Sequence, residues 1–312
     1  MKVLVAYDGS TSADAAIVEL QRAGLPSQAE ARVVCVGDDG LTLAEDADVR
    51  EADSDSSWRS RLAGAEALAE KASRQIAFSF PQWKVSFEAL WGSPAKILLD
   101  TSAWWHSDLI VAGSHGRSPV ARLFLGSVSL ELIHKAACSV RVVRAGRSFI
   151  PRSPIRIIIG NDGSTEAEAV IQAVRKRSWP EKTEAQIISV VQTLVPTVTT
   201  LEASTYAQEP AFTVIRELDE RERIRLQNVA DDSTNILRRA GLMATSTVVD
   251  GDPREVILAE AELSNADAIF VGARGLGRME RLMLGSVSTH IVTHARCTVE
   301  VVRQTMASRV PR

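Results

Sequence analysis

Short apolar runs recur along the chain and alternate with longer segments in which apolar residues return every three or four positions. In the first half the runs predict strands at residues 3–6, 32–36, 85–90, 109–112 and 140–143. Most of these runs are continuous rather than alternating, which is typical of parallel strands covered by helices on both faces. Helical periodicity lies between them, at residues 13–22, 58–77, 94–105 and 127–135. The pattern therefore predicts an α/β fold.

The second half repeats this order of elements. Strands are predicted near residues 155–159, 185–191, 245–249, 268–271 and 299–302. A long charged helix is predicted at about residues 216–239, and Gly241 follows it where a C-terminal glycine is expected.

The two halves also share short motifs. Gly92-Ser-Pro94 corresponds to Gly251-Asp-Pro253, and Ala136-Ala-Cys138 corresponds to Ala295-Arg-Cys297 in the same register. Near the start of each half, Asp8-Gly-Ser10 corresponds to Asp162-Gly-Ser164 in a slightly different register. The chain is therefore predicted to be a tandem of two domains, residues 1–146 and 155–312, joined by a linker at residues 147–154.

The composition argues against nucleic acid and membranes as binding partners. The chain has 312 residues, 45% of them hydrophobic, and a formal net charge of −3 at pH 7, so it lacks the basic field typical of nucleic-acid binding. Its apolar runs are far shorter than a membrane span, and its start lacks the pattern of a secretory signal. We therefore expect a cytoplasmic protein with no nucleic-acid or membrane partner. Its three cysteines lack metal-ligand spacing and are expected to be reduced thiols.

Two glycine-rich loops carry the candidate chemistry. Gly113-Ser-His-Gly116 is followed after nine residues by Gly126-Ser127, and Gly272-Ala-Arg-Gly275 is followed after nine residues by Gly285-Ser286. Each loop lies between a predicted strand and a predicted helix, where glycines let backbone N–H groups approach an anion and the helix N-terminus favours negative charge. The pattern indicates phosphate binding, with a tight turn and a serine helix cap as the structural alternative.

Further candidates lie beside these loops. Asp8 and Asp162 follow the first strand of each half, at the sheet edge where parallel α/β folds bind ligands. Because a carboxylate repels phosphates, each aspartate is expected to face the amino group of a base or a ribose hydroxyl, unless it only begins a turn. Arg122 and Arg281 recur at equivalent loop positions and are candidates for a phosphate contact, with a solvated arginine as the alternative. Together these residues predict a mononucleotide site in each half.

The spacing of G-x-x-G, nine residues and G-S, with Asp-Gly-Ser after the first strand and a late Cys-x-Val, resembles the universal stress protein family in its tandem form. The resemblance covers essentially the whole chain. It implies two doubly wound, Rossmann-like (adenine nucleotide alpha hydrolase-like) domains, each with a five-stranded parallel sheet flanked by helices. In the ATP-binding branch of the family, the first-strand aspartate and the end of the second strand hold adenine, while the loop and the following serines hold ribose and phosphates. By resemblance these roles fall on Asp8, Val36, Gly113, Gly116, Gly126, Ser127 and Ser129, and on Asp162, Val190, Gly272, Gly275, Gly285, Ser286 and Ser288.

The resemblance also implies a role. It predicts a nucleotide-dependent stress-response regulator that binds ATP, ADP or AMP in each domain, with any Mg²⁺ held through the phosphates. Residues 114–125 contain no acidic residue and residues 273–284 contain only Glu280, so neither loop presents an evident general base. His115 is not expected to be catalytic, because Arg274 stands at its position in the second loop. A slow ATP-hydrolysing enzyme stays open as the alternative.

The last strands of the two halves are candidates for an interface. Residues 140–144 and 299–303 are short, largely apolar and at the predicted edge of each sheet. Proteins of the family commonly dimerise through this strand, so the resemblance implies that the two domains pair with each other within the chain. A homodimer of whole chains stays open as a further arrangement.

Overall fold

The computed structural model describes residues 1–38, 54–116, 125–145, 154–192, 210–275 and 284–304. Within these residues ten strands form one sheet. The strands are β1 Lys2–Ala6, β2 Glu30–Gly37, β3 Lys84–Trp91, β4 Leu109–Gly113, β5 Ser139–Val143, β6 Arg156–Gly160, β7 Glu184–Val191, β8 Met243–Asp250, β9 Ala268–Gly272 and β10 Thr298–Val302. The helices are α1 Thr11–Glu19, α2 Ser54–Ser79, α3 Pro94–Trp105, α4 Ser127–Lys135, α5 Thr165–Arg175, α6 Pro210–Arg239, α7 Pro253–Leu263 and α8 Ser286–His294.

The order of the strands gives two copies of one topology. It runs β3-β2-β1-β4-β5-β10-β9-β6-β7-β8, and the strands are parallel within each half. Between the halves, β5 and β10 pair antiparallel, with Glu300 opposite Arg141. The predicted α/β fold class is therefore confirmed. In each half the strand order reverses beside the first strand, between β1 and β4 or between β6 and β9, which is where doubly wound sheets bind ligands.

The strands are continuously apolar because helices cover both faces of the sheet. In β4, Leu109, Ile110 and Val111 are fully buried. Each half has its own apolar cluster on one face. On the other face a single cluster spans both halves and contains Leu132 of α4 together with Ile291 of α8. The two halves therefore share a core at the centre of the sheet.

The observed boundaries differ from the predicted ones mainly where elements begin earlier. Strand β2 begins at Glu30 and β8 at Met243, each before the predicted start, because pairing with the neighbouring strand continues through these positions. Helix α6 begins at Pro210 rather than near residue 216. Gly241 has a φ of +90° just after α6, as expected for a C-terminal glycine. Except for Pro154, the predicted linker lies outside the described residues.

Candidate functional site

Each first-strand aspartate shapes the turn that follows it. The Asp8 Oδ1 accepts the backbone N–H of Ser10 at 2.9 Å, and the Ser10 hydroxyl accepts the N–H of Ala13 at 3.2 Å and so caps α1. The Asp162 Oδ1 accepts the N–H of Ser164 at 3.0 Å in the same way. The turn considered as an alternative is therefore present, and it uses one oxygen of each carboxylate.

The second glycine of each loop lies against the other carboxylate oxygen. A Cβ atom on Gly116 would lie 3.1 Å from the Asp8 Oδ2, and a Cβ atom on Gly275 would overlap with the Asp162 Oδ2. A side chain at either position would therefore push the aspartate away. This contact explains why the aspartate and the second glycine occur together in both halves.

The first glycine of each loop packs on the helix that follows the first strand. A Cβ atom on Gly113 would lie 2.7 Å from the carbonyl carbon of Ser12, and one on Gly272 would lie 2.9 Å from the Cβ of Glu166. Two further contacts hold the loops there. The Ser12 hydroxyl donates to the His115 carbonyl, and in the second half Arg274 forms an ion pair with Glu166 at 3.0 Å.

The third glycine of each motif begins a helix. Gly126 is the N-terminal capping residue of α4 and Gly285 that of α8, and neither has a side chain that could accept a hydrogen bond. Ser127 and Ser286 are the first residues within the helices, so the structural alternative, in which the serine caps the helix, does not hold. A helix that begins without a side-chain cap leaves its first N–H groups available to a ligand, as at phosphate sites.

The later serine of each motif fixes the helix to the strand. The Ser129 hydroxyl donates to the Gly113 carbonyl at 2.6 Å, and the Ser288 hydroxyl donates to the Gly272 carbonyl at 2.6 Å. Both serines are buried. Their hydroxyl protons are used within the protein, so a ligand could only donate to these oxygens.

In the second half these residues surround one cavity of about 640 Å³. The cavity lies at the carboxyl ends of β6 and β9 and is also lined by α6, which contributes Leu218, Asp219, Glu222 and Leu226. The described residues that the sequence assigned to this half all line it: Asp162, Val190, Gly272, Gly275, Gly285, Ser286 and Ser288. In the first half, Val36 is buried at the end of β2. Arg122 and Arg281 lie outside the described residues.

The described lining of the cavity has two sides of different charge. One side carries carboxylates, and the other is formed by the backbone of the glycine motif together with Arg274. Arg225 donates to the Asp162 carbonyl at 2.9 Å and to the Glu222 carboxylate at 2.6 Å, and this hydrogen bond lowers the pKa of Glu222. Arg274 lines the cavity beside the glycines. Its Nε is buried without a hydrogen-bond partner in the part of the chain that the structure describes. Carboxylates suit the amino and hydroxyl groups of a nucleoside, whereas glycine N–H groups and an arginine suit phosphates.

The family of the chain follows from its whole length. The universal stress protein family model matches residues 1–144 and 155–303. The chain belongs to this family. A universal stress protein of Mycobacterium tuberculosis is 28% identical over 228 residues, which make up 70% of this chain and 69% of that protein. The match in two consecutive segments agrees with the tandem form that the repeat predicts.

Solved structures of universal stress proteins share the fold. One from Archaeoglobus fulgidus covers 98% of this chain and 97% of its own, at 18% identity and a TM-score of 0.61. A universal stress protein family protein from Arabidopsis thaliana, solved with AMP bound, covers 50% of this chain and 96% of its own at 19% identity. The TM-score of that match is 0.35.

Three charged residues that line the second cavity, Asp219, Glu222 and Arg274, were not assigned to the site from the sequence. Asp219 and Glu222 belong to a helix with charged residues on most of its surface, so nothing in the pattern separates them from solvated neighbours. In the repeat, Arg274 stands out only as the counterpart of His115.

Among the described residues of this universal stress protein, no group of three His, Cys, Asp or Glu side chains could hold a metal ion. None of the described helices combines the length and apolar character that crossing a bilayer requires.

Proposed function

We propose that each domain of this universal stress protein binds one adenine nucleotide, ATP, ADP or AMP, and that the protein acts as a nucleotide-dependent regulator of the stress response. The observation that carries the proposal is the convergence of Asp162, Val190 and the described glycines and serines of the second motif on one cavity. A volume of about 640 Å³ is within the ordinary range for small-molecule sites.

The chemistry of the cavity lining supports a nucleotide over other small molecules. Asp162 is at the acidic side, where it would accept hydrogen bonds from the base or the ribose. The N-terminus of α8 and the guanidinium of Arg274, which lines the cavity, would meet the phosphates. Ile188 and Val190 give the cavity an apolar wall that suits a purine ring. Any Mg²⁺ would be held by the phosphates and water, since the described residues offer no metal cluster.

The proposal extends to the first domain because its loop is built in the same way. Asp8 lies against Gly116, the Ser129 hydroxyl donates to the Gly113 carbonyl, and Gly126 begins α4 without a side-chain cap. We therefore expect two nucleotides for each chain. The antiparallel contact of β5 with β10 further supports the proposal that the two domains pair within one chain in solution.

Isothermal titration calorimetry with ATP, ADP and AMP tests the proposal. The Gly285→Asp and Gly126→Asp substitutions each introduce a carboxylate at a proposed phosphate site. A Cβ atom would lie 3.4 Å from the Arg274 Cα at position 285 and 3.3 Å from the Ser114 oxygen at position 126, so the fold can accept either substitution with little movement. Each variant should lose one of two bound nucleotides. Gly241→Asp is the matched control, because it adds the same side chain between α6 and β8, away from the glycine motifs. A Cβ atom at position 241 would have no neighbouring atom within 4 Å among the described residues.

Two outcomes would contradict the proposal. One is that the wild-type protein binds none of the three nucleotides and releases none when it is denatured after purification. The other is that the double glycine variant binds as well as the wild type. A separate single-turnover measurement with labelled ATP distinguishes a regulator from the alternative, a slow ATP-hydrolysing enzyme.

A further inference from the structure

At the centre of the ten-stranded sheet, two equivalent positions of the repeat carry opposite charges. Arg141 on β5 and Glu300 on β10 are direct partners in the antiparallel register. They are also counterparts in the sequence repeat, since the register that aligns Cys138 with Cys297 aligns Arg141 with Glu300. Both are completely buried, with exposed fractions of 1% and 0%.

The two charges form the middle of a chain of four. The Arg141 Nη1 donates to the Glu300 Oε2 at 2.8 Å, and the Arg141 Nε donates to the Glu19 Oε2 at 2.8 Å. Glu300 is also paired with Arg177, which follows α5. Each strand residue therefore has a counter-charge from its own half, Glu19 for Arg141 and Arg177 for Glu300. Across the junction, only the pair Arg141 and Glu300 joins the two halves within this chain of four.

Among the ion pairs of this chain of four, a symmetric pairing of like domains would replace the central one. In a twofold arrangement each residue on the axis meets its own copy. Two first domains would place Arg141 against Arg141, and two second domains would place Glu300 against Glu300. Each copy would keep its own counter-charge, Glu19 or Arg177, but like charges would face each other in a water-excluded position. Such a contact is strongly unfavourable.

The strand positions that flank the charged pair do not discriminate in this way. The partners in the register are valines, with Val299 opposite Val142 and Val301 opposite Val140. Valines on both strands would pair equally well with a second copy of the same strand. Within the strand register, the choice of partner therefore depends on the charged pair.

We propose that Arg141 and Glu300 select the partner of each last strand, so that a first domain pairs only with a second domain and like domains are excluded. The surface of β5 with its helix thus fits a strand that carries a buried carboxylate, and the surface of β10 fits one that carries a buried guanidinium. The inference rests on the pairing of β5 with β10 in solution, which can be tested separately.

Charge reversal in the full-length chain tests the selection. One variant combines Glu19→Arg with Arg141→Glu, and another combines Arg177→Glu with Glu300→Arg. Each keeps the counter-charge within its own domain but places like charges opposite each other across the junction. We expect each to lower the midpoint of thermal unfolding by roughly 10 °C and to remove hydrogen-exchange protection from the β5 and β10 amides. The variant with all four substitutions restores opposite charges in reversed order. It should recover most of both properties, because it still lacks the hydrogen bond that Arg177 donates to the Ala23 carbonyl.

The control is Arg156→Glu, which also places like charges opposite each other in this sheet. Arg156 and Glu184 are register partners on β6 and β7, but both side chains are about half exposed, so the midpoint should change little. The proposal is overturned if the two-residue variants keep the wild-type midpoint, or if the four-residue variant remains as unstable as they are. Fast hydrogen exchange of the β5 and β10 amides in the wild type would instead refute the pairing of the two strands. The unfolding and exchange measurements do not depend on nucleotide binding.

Discussion

Arg144 and Arg303 each bind the end of a helix that belongs to the other half. The Arg144 Nη2 donates to the carbonyls of Val292 and Thr293 in α8 at 2.7 and 2.9 Å, and the Arg303 Nη2 donates to the Ile133 carbonyl in α4 at 2.6 Å. The two arginines are counterparts in the repeat. The exchange is therefore reciprocal, and each half satisfies carbonyls that the last turn of a helix otherwise leaves without a partner.

Replacing either arginine by methionine should destabilise the junction. Arg144→Met and Arg303→Met each remove a cation and its hydrogen bonds from the C-terminus of a helix, at a cost of about 1–3 kcal/mol in the free energy of unfolding. Urea unfolding followed by circular dichroism measures the loss. Arg175→Met is the control, because Arg175 is exposed on α5 and, among the described residues, donates its hydrogen bond to the neighbouring Gln172 side chain. Equal stability of all three variants would contradict the role of the two arginines.

A second prediction concerns Gly24, which lets Trp179 of the other half approach the backbone. Gly24 has a φ of +63°, and a Cβ atom there would lie 2.7 Å from the indole ring. Gly24→Ala should therefore cost about 1 kcal/mol for its φ and about 1–3 kcal/mol more for the steric overlap. Gly241→Ala has only the first cost, since its φ is +90° and nothing lies within 4 Å.

Thermal unfolding of the two glycine variants, with tryptophan fluorescence as a second signal, separates the two costs. The midpoint for Gly24→Ala should lie below that for Gly241→Ala. Equal midpoints would show that Trp179 does not need this close approach.

A third prediction links a glycine to nucleotide affinity. Gly275→Ala adds a methyl group where the Asp162 carboxylate lies, and it should displace that carboxylate. If Asp162 holds the nucleoside, affinity in the second domain should fall by about tenfold or more, the value of one charged hydrogen bond. Gly116→Ala should have a smaller effect in the first domain, because its Cβ atom would lie 3.1 Å from the Asp8 Oδ2. Calorimetry resolves the two sites, and an unchanged affinity for Gly275→Ala would argue against the role of Asp162.

A fourth prediction follows from the charge of Glu300. Burial alone would raise the pKa of Glu300, but Arg177 and Arg141 outweigh it and hold the pKa below its ordinary value. The Glu300 carboxylate therefore stabilises the folded chain fully at pH values above the pKa of an unfolded glutamate, which is about 4.3. This stabilisation is lost as the pH falls from there through the lower pKa of Glu300 in the folded chain. Urea unfolding between pH 7 and 3 should show a loss of stability below about pH 4.3.

The Glu300→Gln variant should be less stable at neutral pH and should show a smaller acid-dependent loss. Glu220→Gln, at an exposed position of α6, serves as the control and should follow the wild-type curve. An identical pH dependence for Glu300→Gln and the wild type would rule out Glu300 as a source of the acid sensitivity.

The fold could be predicted from the sequence because most of its elements are locally encoded. Continuous apolar runs predict the parallel strands, and α3 and α4 begin and end at the predicted residues. The loop residues of the site could be anticipated as neighbours because the carboxyl ends of parallel strands meet at one edge of the sheet. That these residues bind a nucleotide stays a prediction.

Other features could not be predicted because they depend on distant parts of the chain. Arg141 in an apolar edge strand is compatible with a solvated side chain, and its burial depends on Glu300, which lies 159 positions away. The contact of Glu222 with the cavity depends on how α6 packs, and its helix is too highly charged for the pattern to show an inner face.

Helix α1 touches the first glycine loop at one end and the centre of the junction at the other. Ser12 near its start contacts the carbonyl of His115, and Glu19 at its end holds Arg141. Nine residues of helix form a stiff rod about 13 Å long. A ligand that pushed the start of this rod along its axis would also have to move the partly buried Glu19 carboxylate away from the Arg141 guanidinium at the far end. The position of the first glycine loop is thus held in part by an ion pair at the centre of the sheet, about one helix length away.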